Sequence, residues 1–182
     1  MQKVTKKAWL IIATLVAVAS LAIYGIGVAA ADTVTVVVTG GTLSMTAGGN
    51  QTLTSVTLDG TDKTTTGSLG TLDVKDARGS GAGWNVVVAS TDFAKGGDPS
   101  KTIAAAGFNV PAVPAVTTVA GNGAPTSFSG ALNGAGLKLL SAALDSGMGE
   151  YQTTPNLQLA VPAQTYAGTY TATVTETVTS GP

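Results

Sequence analysis

Apolar and polar positions alternate along most of this chain with a period of two, the spacing that sends successive side chains to opposite faces of a β-strand. Val34 and Val36 face away from Thr33 and Thr35, and Val37 and Val38 then blur the pattern ahead of Gly40-Gly41. A second run through Leu53, Val56 and Leu58 ends at Asp59-Gly60, a strong turn signal. Leu137 and Leu139 flank Lys138, and Leu157, Leu159 and Val161 flank Gln158 and Ala160. The last run is the most regular: Tyr170, Ala172, Val174 and Val178 point one way, while Thr169, Thr171, Thr173, Thr175 and Thr177 point the other. Threonine there favours the pleated geometry and keeps one face wet. Glu176 stands on the apolar side of that run, where an unpaired carboxylate is costly to bury. The pattern therefore places it where the strand leaves the core, or beside a cation, with Arg78 as a candidate.

The segment Asp73–Val88 carries the densest signal. Leu72 and Val74 alternate with Asp73 and Lys75, and Trp84, Val86 and Val88 alternate with Asn85, Val87 and Ala89. Between these runs Gly79, Gly81 and Gly83 supply positions that tolerate positive φ. The pattern reads as a hairpin of two paired strands around one aromatic anchor. Trp84 reads as the wedge of the core, since Val86 and Val88 share its face; an exposed binding platform is the alternative.

Helical periodicity is scarce. Lys101–Ala106 and Leu140–Ala143 are short helix candidates close to Gly or Pro. Phe108–Gly134, with Pro111, Pro114 and Pro125, reads as an irregular crossover or insertion. Many short strands separated by turns, with hardly any helix, predict an all-β fold, an antiparallel β-sandwich in a single domain.

The N-terminus differs from the rest. Lys3, Lys6 and Lys7 precede an uncharged apolar run from Ala8 to Ala31 that ends in small residues, the outline of a secretory signal peptide over residues 1–31, cleaved before Asp32. The run is also long enough to span a bilayer, so an uncleaved membrane anchor is the alternative. Residues 32–182 then form the single domain. The sequence holds nine Lys and Arg against ten Asp and Glu. With three of the lysines in the leader, the mature chain is acidic, has no basic stripe and is not expected to bind nucleic acid.

Composition also removes chemistry. The chain has no histidine and no cysteine. Ser-His-Asp and Cys-His nucleophilic sites, structural zinc and haem ligation are therefore excluded, and the core must hold without disulfides. Carboxylate pairs remain: Asp73 with Asp76, and Asp59 with Asp62. Beside glycines such aspartates read first as turn formers through side-chain to backbone hydrogen bonds. A glycosidase-type acid pair or a weak calcium site is the sharper alternative for each. The Gly79–Gly83 run lacks a following Lys-Ser/Thr and precedes a strand, so it is not a phosphate-binding loop. No cofactor, no metal and no enzymatic activity are expected.

Two segments resemble the WxL domain of Gram-positive cell-surface proteins. The block Asp76-Ala77-Arg78-Gly79-Ser80-Gly81-Ala82-Gly83-Trp84-Asn85-Val86 is similar to the family's D-x-R-G-T-G-x-G-W-x-L motif. Gly147–Tyr151, Leu157–Pro162 and Thr165–Thr175 look like its closing strands. Val86 stands in place of the motif leucine, and Glu176 and Val178 occupy the positions of a second, C-terminal W-x-L. The resemblance implies a protein secreted to the cell surface and held non-covalently on the cell wall, on peptidoglycan or another wall polymer. It implies Trp84, Val86 and Tyr170 as the motif positions for binding, with a purely structural role as their alternative. Other surface proteins or further copies of this chain are the other partners considered. A rival function is a self-assembling surface or fibre subunit, in which the Val34–Val38 strand of one copy completes a sheet of the next.

Overall fold

The computed structural model describes residues 32–182, so the expected leader, 1–31, lies outside the described residues. Among the described residues no helix is long and apolar enough to cross a membrane. Thr39–Pro182 forms one compact unit, the all-β fold expected. Its strands are β1 (Leu43–Thr46), β2 (Lys63–Ser68), β3 (Leu72–Asp76), β4 (Trp84–Ser90), β5 (Phe93–Lys95), β6 (Asp98–Ile103) and β7 (Phe108–Val110). Then follow β8 (Val116–Gly121), β9 (Thr126–Ser127), β10 (Gly130–Ala131), β11 (Leu137–Ala142), β12 (Gly149–Thr153), β13 (Asn156–Val161), β14 (Tyr170–Thr171) and β15 (Val174–Ser180).

Every pairing is antiparallel. Four sheets result, ordered β1-β3-β12-β8, β10-β7-β13-β2, β15-β4-β11-β9 and β14-β5-β6. Their inner faces meet in one core that includes Leu72, Val74, Trp84, Phe108, Leu139 and Tyr151. The period-two reading holds in detail, since β3, β4 and β13 bury every second residue. This is the sandwich solution: each sheet is apolar on one face and must cover it with another.

The expected hairpin does not form. β3 is paired on both sides, by β1 and β12, and β4 on both sides, by β15 and β11. The glycine segment instead carries the chain from one sheet into another, so that Val74 and Trp84 reach the same core from different layers. Alternation in sequence gives the face of each strand but not its neighbour.

Other local readings also change. The segment 32–38 pairs with no strand among the described residues and is exposed. Leu53, Val56 and Leu58 are half-buried but belong to a strap without strand structure; it touches β2 through Thr54 N–H donating to the Thr66 carbonyl at 2.8 Å and the Thr65 hydroxyl donating to the Thr54 carbonyl. Leu140–Ala142 is strand rather than helix, because β11 is paired on both edges. The other helix candidate is the end of β6 followed by one 3₁₀ turn, Ala105–Gly107. Phe108–Gly134 contains β7, β8, β9 and β10, its prolines falling between strands as their missing N–H requires. The final run is interrupted at Ala172-Thr173, so Tyr170 pairs with Lys95 of β5, whereas Val174–Ser180 pairs with β4. Its threonines are exposed throughout, as the alternation predicts.

Candidate functional site

The motif residues form a latch at one end of the sandwich. Asp76 ends β3 with its side chain turned inward, only 3% exposed. Arg78, two residues on, grips it with both prongs: Nε donates to Oδ1 and Nη2 to Oδ2, each at 2.8 Å. The same guanidinium donates to the Gly83 carbonyl at 2.8 Å and to the Ser180 hydroxyl. One cation thus ties together the end of β3, the start of β4 and the last residue of β15. The Arg78 guanidinium holds the Asp76 carboxyl below the usual carboxylate range, against the opposing effect of burial. Arg78 is therefore committed to Asp76 and not to Glu176.

Glycine is needed where this latch closes on its neighbours. Gly83 adopts φ +68°, and a Cβ there would meet the carbonyl oxygens of Ala142 and Ala143 at 2.5 and 2.9 Å. Trp84 then enters β4 with no exposed surface. Its Nε1–H donates to the Gly147 carbonyl at 2.8 Å, and its ring lies 6.0 Å from that of Tyr151, tilted by 48°. The Tyr151 hydroxyl lies 2.7 Å from the Asn122 carbonyl and 3.0 Å from that of Met148. The aromatic pair therefore anchors two loops as well as the core. Val86 is also fully buried. The core-wedge reading of Trp84 agrees with this placement, and neither side chain presents a surface to a ligand.

The C-terminal strand completes the motif. All seven residues of β15 pair with β4, from Val174 opposite Ser90 to Ser180 opposite Trp84. Asn85 extends the ladder, donating from Nδ2 to the Gly181 carbonyl at 2.9 Å and accepting from the Thr179 hydroxyl at 3.0 Å. On this register Val178 lies beside Val86, and Glu176 beside Val88. The two W-x-L positions thus share the inner face of one strand pair, with Trp84 at one end and Glu176 four residues up β15, toward the other.

At that other end the sandwich opens into a cleft of about 1330 Å³. Its floor includes Phe93, Ile103, Phe108 and Leu157; its rim carries Asn50, Gln51, Thr54, Thr169 and Tyr166. Tyr166 is 60% exposed, with Lys101 Nζ 4.8 Å from its ring centroid. Half-buried Tyr170 also lines the cleft and donates its hydroxyl to the Tyr166 carbonyl at 2.9 Å. Glu176 forms part of the wall, and desolvation pushes its carboxyl above the ordinary value despite a backbone N–H from Gly48. Of the sequence-derived site residues, Tyr170 alone reaches this cleft. Tyr166 and Lys101 were not legible as a site, because a loop and a short strand distant in sequence bring them together.

One aspartate of each pair accepts a local turn bond, Asp59 from Thr61 N–H and Asp76 from Arg78 N–H, whereas Asp73 lies within β3 and accepts from Gln152 of β12. Asp59 accepts from the Thr61 backbone N–H and hydroxyl and pairs with Lys63 at 2.6 Å, whereas Asp62 caps Ala163 N–H at 2.8 Å. Among the described residues no group of three acidic side chains converges as metal ligands do.

Fold and site together define a β-sandwich surface module whose glycine-rich motif, ion pair and buried tryptophan build its frame. The chain belongs to the WxL family: residues 37–182 match the model of the WxL domain, a surface cell wall-binding domain. No curated protein matches the chain.

Proposed function

We propose that this protein is secreted, catalyses no reaction, and holds non-covalently to peptidoglycan through the cleft at the Glu176 end of its sandwich. The observation that carries the reading is the cleft itself. It is concave, has an apolar floor, and is rimmed by amides, hydroxyls and an exposed tyrosine, the surface chemistry that suits a glycan strand with its alternating apolar faces and hydroxyl edges. The membership of a cell wall-binding family supports the same reading. The test is co-sedimentation of the mature protein with purified peptidoglycan. Wild type is expected in the pellet and Tyr166→Ala largely in the supernatant, with unchanged circular dichroism. Wild type that stays soluble sinks the proposal.

A second reading, self-assembly by strand addition, draws on Val34, Val36, Val37 and Val38, which are 82–94% exposed. A six-residue edge strand without charges, β8, is open on the side away from β12. The chain has no cysteine, so single-cysteine variants at Val36 and Val119 can be mixed. Disulfide-linked pairs formed only in the mixture support strand addition, and their absence removes it.

A further inference from the structure

Glu176 is a charge without a counter-charge. It sits on the inward-facing side of β15, opposite Val88, and no lysine or arginine among the described residues lies within ion-pair distance of it. Among the described residues the lining of this cleft holds no other charged side chain, its remaining ionisable groups being the phenols of Tyr166 and Tyr170; Lys101, over the Tyr166 ring, and Lys95, beside Gly168, flank its rim. A half-buried carboxylate that gains one backbone N–H, from Gly48, but no counter-charge is not fully repaid for its lost hydration, so the free protein bears a penalty that a bound cation relieves. The strap contributes Asn50, Gln51 and Thr52 to the lining of the same cleft, each of which carries neutral oxygen acceptors. The resemblance to the family motif puts a tryptophan at this position, which would present a ring where this chain presents an acid.

We propose that Glu176 makes the cleft selective for a wall polymer bearing a free primary ammonium group. An ammonium has three donors and no acceptor, so one carboxylate and two neutral oxygens satisfy it. Such groups occur on wall peptides wherever an amine has not been used in a cross-link. A divalent metal is less well matched, since it needs several anionic or carbonyl oxygens and Glu176 is the only carboxylate lining the cleft. The inference rests on the reading of this cleft as the peptidoglycan site.

The test compares retention on native peptidoglycan with retention on the same material after its free amines are capped by acetic anhydride. Wild type is expected to bind the capped polymer at least tenfold more weakly. Glu176→Gln is expected to bind both equally, at the weaker level. Equal binding of both polymers by wild type, or an amine preference that survives in Glu176→Gln, overturns the inference while leaving the wall-binding reading intact. If wild type binds neither polymer, the wall-binding reading fails and Nα-acetyl-lysine amide decides the inference. By carbon-detected NMR this probe should move the Glu176 carboxyl titration to lower pH, and an unmoved titration overturns the assignment.

Discussion

Replacing Trp84 tests whether the family motif is a frame or a binding surface. The ring is wholly buried, packs on Tyr151 and donates one hydrogen bond to Gly147. Trp84→Ala removes the largest side chain of the core and leaves a cavity, a change that costs about 3–5 kcal/mol. Against a typical total of about 5–15 kcal/mol, this brings the domain near unfolding. Trp84→Phe separates the contributions. It keeps most of the apolar contact but leaves the Gly147 carbonyl without its donor, which costs about 1–3 kcal/mol. Urea denaturation followed by circular dichroism measures both variants. In the unaltered protein, fluorescence serves as well, because Trp84 is the only tryptophan in the described region. The companion measurement is peptidoglycan retention of Trp84→Phe under conditions where it is fully folded. Retention should match wild type. A folded Trp84→Phe that no longer binds, or a Trp84→Ala loss below about 1.5 kcal/mol, would refute the assignment of this ring to the frame.

Three further outcomes follow from the same geometry. Asp76→Asn leaves Arg78 in place without its counter-charge and should cost about 3 kcal/mol at neutral pH. Because the folded Asp76 carboxyl titrates below its unfolded value, its contribution is complete above the unfolded pKa and disappears as pH falls through the folded one. Urea midpoints of variant and wild type should therefore converge in acid, and a constant gap down to the lowest pH would contradict the ion pair's role. Gly147→Ala places a methyl against Ala142 and 2.9 Å from Trp84 Nε1 at φ +71°, whereas Gly79→Ala at φ +65° meets nothing within 4 Å. Thermal unfolding should show about 1 kcal/mol lost for the second, and about 2 kcal/mol or more for the first; equal losses would remove the packing argument. Glu176→Trp restores the motif ring and occupies the cleft, so the melting temperature should rise and peptidoglycan retention fall. Stronger retention would show that a ring at this position, rather than the open cleft, makes the wall contact.

Much of this molecule is written in its local pattern. The alternation at Leu72–Asp76, Trp84–Ser90 and Asn156–Val161 predicts which residues are buried, because a strand's side-chain period is set by its own backbone. The motif residues likewise predict the positive φ of Gly79, Gly81 and Gly83 and a core tryptophan. The missing histidine and cysteine exclude whole classes of chemistry without any structure. Partners are a different matter. Asp73–Val88 looks like a hairpin in one dimension, yet both its strands have other neighbours on both sides, since pairing is decided by which inner faces can be covered together. Leu140–Ala142 looks helical and is strand for the same reason. Val34–Val38 and Leu53–Leu58 have strand-like periodicity and form no strand among the described residues, because periodicity sets a face and does not by itself supply a partner strand. The Arg78 latch, the cleft beneath the strap and the uncompensated Glu176 depend on contacts between residues tens of positions apart, and only the folded sandwich brings them together.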